Sequence, residues 1–167
     1  GQGVIHRALK PGNVMVLDQP AGRHTLKVLD FGLAKLVTTD SPSAQLTQTG
    51  EIFGTPAYMA PEYANDEPVD ARTDLDALGV ILYEGLAGHT PFPDGNPLKV
   101  LAAHQSALVP ALPSQVPDAL AEIAYKALRK IPAKRYQRAA DMADALRAFS
   151  RSTIDLSGHD HRSFEAT

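Results

Sequence analysis

No cysteine occurs anywhere in this chain. Disulfides and thiolate metal sites are therefore excluded, and the composition fits a cytoplasmic protein. A dominant charge of one sign is missing as well. The 16 Lys and Arg nearly balance the 19 Asp and Glu, leaving a net charge of -3. That gives no electrostatic case for nucleic acid or an anionic membrane surface. Long hydrophobic runs are absent. The best stretch, Leu78 to Leu82, is interrupted and far short of the roughly 20 apolar residues a bilayer requires. No signal-peptide pattern opens the sequence, and no internal repeat runs through it. The six histidines show no metal-ligand spacing, and His159-Asp160-His161 is a poor chelate. What is present suits one globular domain: 167 residues, 44% hydrophobic and 21% charged.

The expected elements are one hairpin and several helices. Asn13 to Leu17 and Thr25 to Leu29 read as strands, joined by the turn chemistry of Asp18-Gln19-Pro20-Ala21-Gly22. Residues 35–53 are polar, rich in Ser and Thr and without period, so a long loop is expected. Thr73 looks like an N-cap for a helix over 73–88, with acids in its first turn. Its apolar residues cover most of the circumference, which marks a buried helix. Gly88 is placed to end it. Asn96-Pro97 reads as N-cap and N1 of another helix, carrying Leu98 and Leu101. Pro117-Asp118 opens a third, and Met142, Leu146 and Phe149 mark a fourth. The Lys126, Arg129, Lys130, Lys134 and Arg138 cluster is most simply a solvated face. Residues 151–167 are polar and aperiodic and are expected to form a disordered tail.

Three short motifs stand in order. His6-Arg7-Ala8-Leu9-Lys10-Pro11-Gly12-Asn13 comes first, then Asp30-Phe31-Gly32, then Ala60-Pro61-Glu62. A lone Asp-Phe-Gly could be any turn, and Asn13 could cap a loop. The ordered set, with a hairpin and a Ser/Thr-rich loop between its members, is far more specific. It resembles the H-R-D-L-x-x-x-N, D-F-G and A-P-E signatures of the protein kinase family, with Ala8 in place of the catalytic aspartate. Lys10, and Gly54-Thr55 ahead of Ala60-Pro61-Glu62, resemble the bacterial-type Ser/Thr branch.

The resemblance implies a reaction and a site. The family transfers the γ-phosphate of ATP to protein Ser or Thr, relying on positioning and charge neutralisation. By resemblance Asn13 and Asp30 would hold Mg²⁺, to which hard oxygen ligands are suited, and Lys10 would contact the transferred phosphate. Ala8 offers nothing to accept the substrate hydroxyl proton, help worth roughly 10²–10⁴ in rate. Arg7 would pair with a phosphorylated residue of the activation loop, for which Thr47 and Thr49 are the candidates. They are equally readable as solvated loop threonines. Glu62 resembles the glutamate that pairs with a late arginine, here Arg135. Asp74 resembles the central-helix aspartate that accepts from the catalytic-loop backbone, and it is equally a helix-terminal acid. His6 is expected to pack and hydrogen-bond in the core.

The resemblance runs from residue 1 to about 149. The Gly-rich loop, the V-A-I-K lysine and its partner glutamate have no counterpart in the sequence. The implied fold is mainly α with a small β-hairpin: a C-terminal kinase lobe over 1–150 without the N-terminal lobe that lids ATP. The expected function is that of a Ser/Thr kinase fragment, inactive as it stands. Two other classes compete with it. One is a pseudokinase module that docks a protein partner through its activation segment and the helix at 96–105. The other is a gene remnant without function.

Overall fold

The computed structural model describes residues 4–20, 23–30, 55–65 and 67–158. Phe31-Gly32, Thr47, Thr49, Gly54 and the His159–His161 segment lie outside the described residues. The chain begins with a loop that closes in a 3₁₀ turn, Pro11–Asn13. Strands β1 (Val14–Gln19) and β2 (Arg23–Val28) follow and pair antiparallel, with Val14 opposite Val28 and Gln19 opposite Arg23. Pairing thus continues through Asp18 and Gln19, which the sequence assigns to the turn. A connection of Pro20 to Gly22 is short enough to close the ladder. Asn13 leaves the strand and sits buried in the 3₁₀ turn.

Beyond another 3₁₀ turn, Pro56–Tyr58, the α-helices among the described residues are α1 (Pro61–Ala64), α2 (Ala71–Ala87), α3 (Pro97–Ser106), α4 (Asp118–Ala127) and α5 (Ala139–Gly158). The expected fold class, mainly helical with one hairpin, is what the chain adopts. Helix α2 starts earlier than the sequence implies. Its N-cap is Asp70, whose carboxylate accepts from the Arg72 amide at 2.8 Å. Thr73 lies inside the helix, and its hydroxyl donates to Glu62 instead. Gly88 ends α2 at φ 80, a left-handed conformation that glycine adopts without penalty. Asn96 caps α3 as expected, its side chain accepting from the Leu98 amide. Leu98 itself is exposed, while Val100, Leu101 and His104 face inward. Helix α5 continues into the stretch read as tail, because no proline or glycine interrupts it before Gly158.

The core is built around α2, as its all-round apolar pattern demands. On one side Leu75 packs with Ile123 and Ala127 of α4, Tyr136, and Met142 of α5. On another, Val80 and Tyr83 pack with Leu128. Burying a side chain such as Leu75 contributes about 1.5–3 kcal/mol. Helices α2 and α4 touch at Gly79, where an added Cβ would stand 2.8 Å from that of Ala127. Only a glycine lets the two backbones come so near. No helix among the described residues is long and apolar enough to cross a membrane.

Candidate active site

The loop of residues 6–13 is held from three directions. Asp74, in the first turn of α2, accepts the His6 amide at 2.8 Å and the Arg7 amide at 2.9 Å. His6 is buried. Its Nε2 lies 2.8 Å from the Leu29 carbonyl, and its Nδ1 accepts the Ala8 amide at 3.3 Å. A carbonyl can only accept, so Nε2 carries the proton. Asn13 Nδ2 donates to the Ala8 carbonyl at 2.7 Å, and the Asn13 carbonyl accepts the Leu29 amide at 2.8 Å. The start of the second motif is thereby fastened to the first, with Asp30 next along the chain from Leu29. Arg7 and Asp30 are non-glycine residues at positive φ, 63 and 55. Such conformations persist where surrounding contacts fix them, and they cluster at functional sites.

Of the residues singled out in the sequence, these bonds bring His6, Ala8 and Asn13 together, and they hold Leu29, the residue before Asp30, against them. It adds Lys10, whose Nζ donates to Thr55 Oγ1 at 3.0 Å. Ala8 and Asp30 are exposed, and Asn13 is buried. Arg7 is exposed, and Thr47 and Thr49, its expected partners, are outside the described residues.

Asn13 and Asp30 suit a hard cation. The Asn13 amide nitrogen is already a donor, which leaves its oxygen as the ligating atom. Among the described residues no group of three or more His, Asp or Glu could hold a metal by itself. Mg²⁺ ordinarily takes one or two protein oxygens and completes its shell with phosphates and water. Asn13 and Asp30 each carry an oxygen of the kind such an ion takes.

The segment from Thr55 to Pro61 is anchored at several points. Glu62 and Arg135 form a bidentate pair at 2.8 and 2.7 Å, both side chains nearly inaccessible. Burial alone pushes the Glu62 carboxyl up, but the hydrogen bonds and charge of Arg135 outweigh it and hold it below the usual range. Tyr58 donates to Glu84 at 2.5 Å. Burial, then the Glu84 bond and charge, push the Tyr58 phenol up to about 12. His104 donates from Nε2 to the Ala57 carbonyl at 3.0 Å. Burial and the charge of Lys130 push it down to about 4, so the ring stays neutral at ordinary pH.

Several of these residues escape a motif reading. His104 follows Val100 and Leu101 at helical spacing, so it lies on the buried stripe of α3. Lys130 departs from the expected solvated face. Its Nζ donates to the Ala103 and His104 carbonyls at the end of α3 and sits 4.6 Å above the Phe92 ring. The other four basic residues of that cluster are exposed, with Lys126 lying over Tyr136.

The sequence model of the protein kinase domain matches residues 1–147. The chain belongs to the protein kinase family. It is 46% identical over 133 residues to the serine/threonine-protein kinase PkaA of Streptomyces coelicolor, covering 80% of this chain and 23% of that protein. It is 39% identical over 153 residues to PknB of Mycobacterium leprae, covering 89% of this chain and 23% of the relative. Serine/threonine-protein kinase Pkn1 of Myxococcus xanthus is 39% identical over 164 residues, 96% of this chain and 23% of its own. The chain thus spans about a quarter of the length of these relatives.

Proposed function

We propose that this chain carries the catalytic loop and peptide-facing segment of a Ser/Thr kinase-like protein, and that it does not transfer phosphate with alanine at residue 8. The observation that carries this reading is the setting of Ala8. The loop around it keeps its supports: Asn13 on its carbonyl, His6 on its amide, Asp74 on the two preceding residues. Only the carboxylate is missing. Phosphoryl transfer leans mainly on positioning, but a base that orients the acceptor hydroxyl contributes roughly 10²–10⁴.

In this reading Asn13 and Asp30 hold Mg²⁺ with ATP, and Lys10 lies beside the phosphate to be transferred. Mg²⁺ would neutralise the charge on the phosphate oxygens. Arg7 receives a phosphorylated Thr47 or Thr49 through a charge-assisted bond. Glu62, Asp74, Thr55 and Arg135 act as supports. The partner is a protein, and the reading calls for no nucleic acid and for no membrane segment within this chain. A cytoplasmic location, which suits a cysteine-free chain, belongs to the same reading.

A second reading is favoured by the segment from Thr55 to Pro61. Its anchors on Glu84, His104 and Arg135 involve neither residue 8 nor a nucleotide. A pseudokinase that docks a protein partner there would need no base. The deciding experiment joins this chain to the ATP-binding lobe of a related kinase and follows transfer from labelled ATP to a basic protein. No transfer above the buffer control is expected. Transfer that Asp30→Ala abolishes, with Ala8 in place, would overturn the inactive reading.

A further inference from the structure

Helix α2 turns a carboxylate, Asp76, toward the Glu62–Arg135 clasp. It is 1% exposed, and among the described residues its Oδ2 is the one buried side-chain oxygen or nitrogen without a hydrogen-bond partner. Its Oδ1 stands 3.5 Å from Arg135 Nε, too far for a good bond. Arginine has five N–H donors, and those of Arg135 are engaged elsewhere. Nε donates to the Arg129 carbonyl at 2.7 Å. Nη1 serves Glu62 and the Arg72 carbonyl, and Nη2 serves Glu62 and the Lys130 carbonyl. Asp76 therefore lies beside an arginine with no donor to spare.

The charged groups facing Asp76 are Arg135 and Lys130, from the stretch between α4 and α5, and Glu62 from α1. Burial is the strongest influence on its carboxyl. Arg135 draws it down, Glu62 raises it, and Lys130 draws it down. The net result is a carboxyl pushed up to about 7. The cations do not win, because Glu62 already takes up the charge of Arg135 and Lys130 directs its ammonium at two carbonyls. A buried carboxylate without donors costs far more than a buried neutral acid.

We propose that Asp76 is a proton site built into the clasp: it stays neutral while the clasp is shut, and on ionising it draws Arg135 Nε away from the Arg129 carbonyl and loosens the anchor of Glu62. The proton leaves to solvent. The charge that appears faces Arg135 Nε, a donor already committed to the Arg129 carbonyl. The clasp fixes the Ala60–Pro61 end of the peptide-facing segment, so the state of Asp76 bears on how firmly that segment is held. The sign is unusual for a carboxylate. A raised folded value means that stability is fully present below the ordinary value of 3.8 and is lost as pH rises through about 7.

The test is a pH titration of the 167-residue chain, labelled with ¹³C at the aspartate carboxyls and ¹⁵N in arginine. One carboxyl resonance should titrate near neutral pH and be missing from D76N, and the Arg135 Nε resonance should move with the same midpoint. The difference in melting midpoint between wild type and D76N should change across that pH window. If every aspartate carboxyl titrates below about pH 5, as it would were a buried water to solvate Asp76, the proposal fails. A stationary Arg135 Nε resonance overturns the loosening, and a pH-independent difference in melting overturns the linkage to stability. Should D76N not fold, the wild-type resonances decide alone.

Discussion

Glu62 and Arg135 meet across 73 residues of sequence through two parallel hydrogen bonds of 2.8 and 2.7 Å. The Thr73 hydroxyl completes the cradle of the carboxylate at 2.7 Å. Removing one partner leaves the other buried and uncompensated. Arg135→Ala is therefore expected to destabilise the chain by about 3–5 kcal/mol, read as a fall in the urea midpoint. Glu62→Gln keeps the shape and loses the charge, so it should cost less. Equal losses from the two variants would place the value of the pair in packing.

The same pair predicts how stability responds to acid. The Glu62 carboxyl is held below its ordinary value of 4.5 in the folded chain. Its contribution is present above the unfolded value and is lost as pH falls through the folded one. Melting followed from neutral to acid pH should show that loss below about pH 4.5, and Glu62→Gln should flatten the curve there. An unchanged acid limb in Glu62→Gln would show that other carboxylates set it.

Two glycines of α2 should answer substitution with opposite signs. An alanine at Gly79 puts its Cβ 2.8 Å from that of Ala127, so α2 and α4 must part. Overpacking of this kind costs about 1–3 kcal/mol. Gly85 has nothing within 4 Å of the same point. Alanine there should gain about 0.5–1 kcal/mol from lost chain entropy and better helix propensity. Thermal midpoints of the two variants check both, and a fall at Gly85 would contradict the open space beside it.

Much of this was legible in the sequence, because motif spacing carries long-range information that local pattern does not. Asp74, Glu62 and Arg135 could be singled out by their places in the motifs, and the structure sets them against the loop and against each other. The sequence leaves the start of α2 ambiguous because Asp70 and Thr73 are both capping residues. Local chemistry could not show that Thr73 is taken by Glu62, a partner outside its helix. Asp76 is hard to single out because Thr73-Asp74-Leu75-Asp76 looks like an acidic first turn. Yet Asp76, Gly79, Val80 and Tyr83 share one face at helical spacing, and all are buried. A helix apolar nearly all round should have flagged any carboxylate on such a stripe. Lys130 reads as solvent-facing because its sequence neighbours are, and only the end of α3 reveals what it caps.

Asp74 predicts a local effect distinct from a global one. It accepts both the His6 and the Arg7 amides, and Arg7 is held at φ 63. Asp74→Ala leaves two amides without that acceptor, a loss of about 1–3 kcal/mol for each that stays buried. Hydrogen exchange at His6 and Arg7 should accelerate while the amides of α4 remain protected. Uniform acceleration would instead mark Asp74 as a support of the whole fold.

The last prediction concerns Ala8 in the chain joined to the ATP-binding lobe of a related kinase. Nucleotide binding and proton removal are separate tasks, and Ala8 bears only on the second. Its backbone is already bonded to His6 and Asn13 as the loop requires. A carboxylate introduced there therefore enters a loop that is already supported. Ala8→Asp should raise the rate of transfer by roughly 10²–10⁴, the usual worth of a positioned base. Asp30→Ala in the same background should cancel the gain by removing a metal ligand, and Lys10→Ala should lower it by unsettling the contact with Thr55. If Ala8→Asp leaves the protein inert while nucleotide still binds, the lost base is not the only defect. The segment from Thr55 to Pro61, also anchored on Glu84 and His104, which take no part in the chemistry, then becomes the part of the molecule with work to do, and protein docking overtakes phosphoryl transfer as its function.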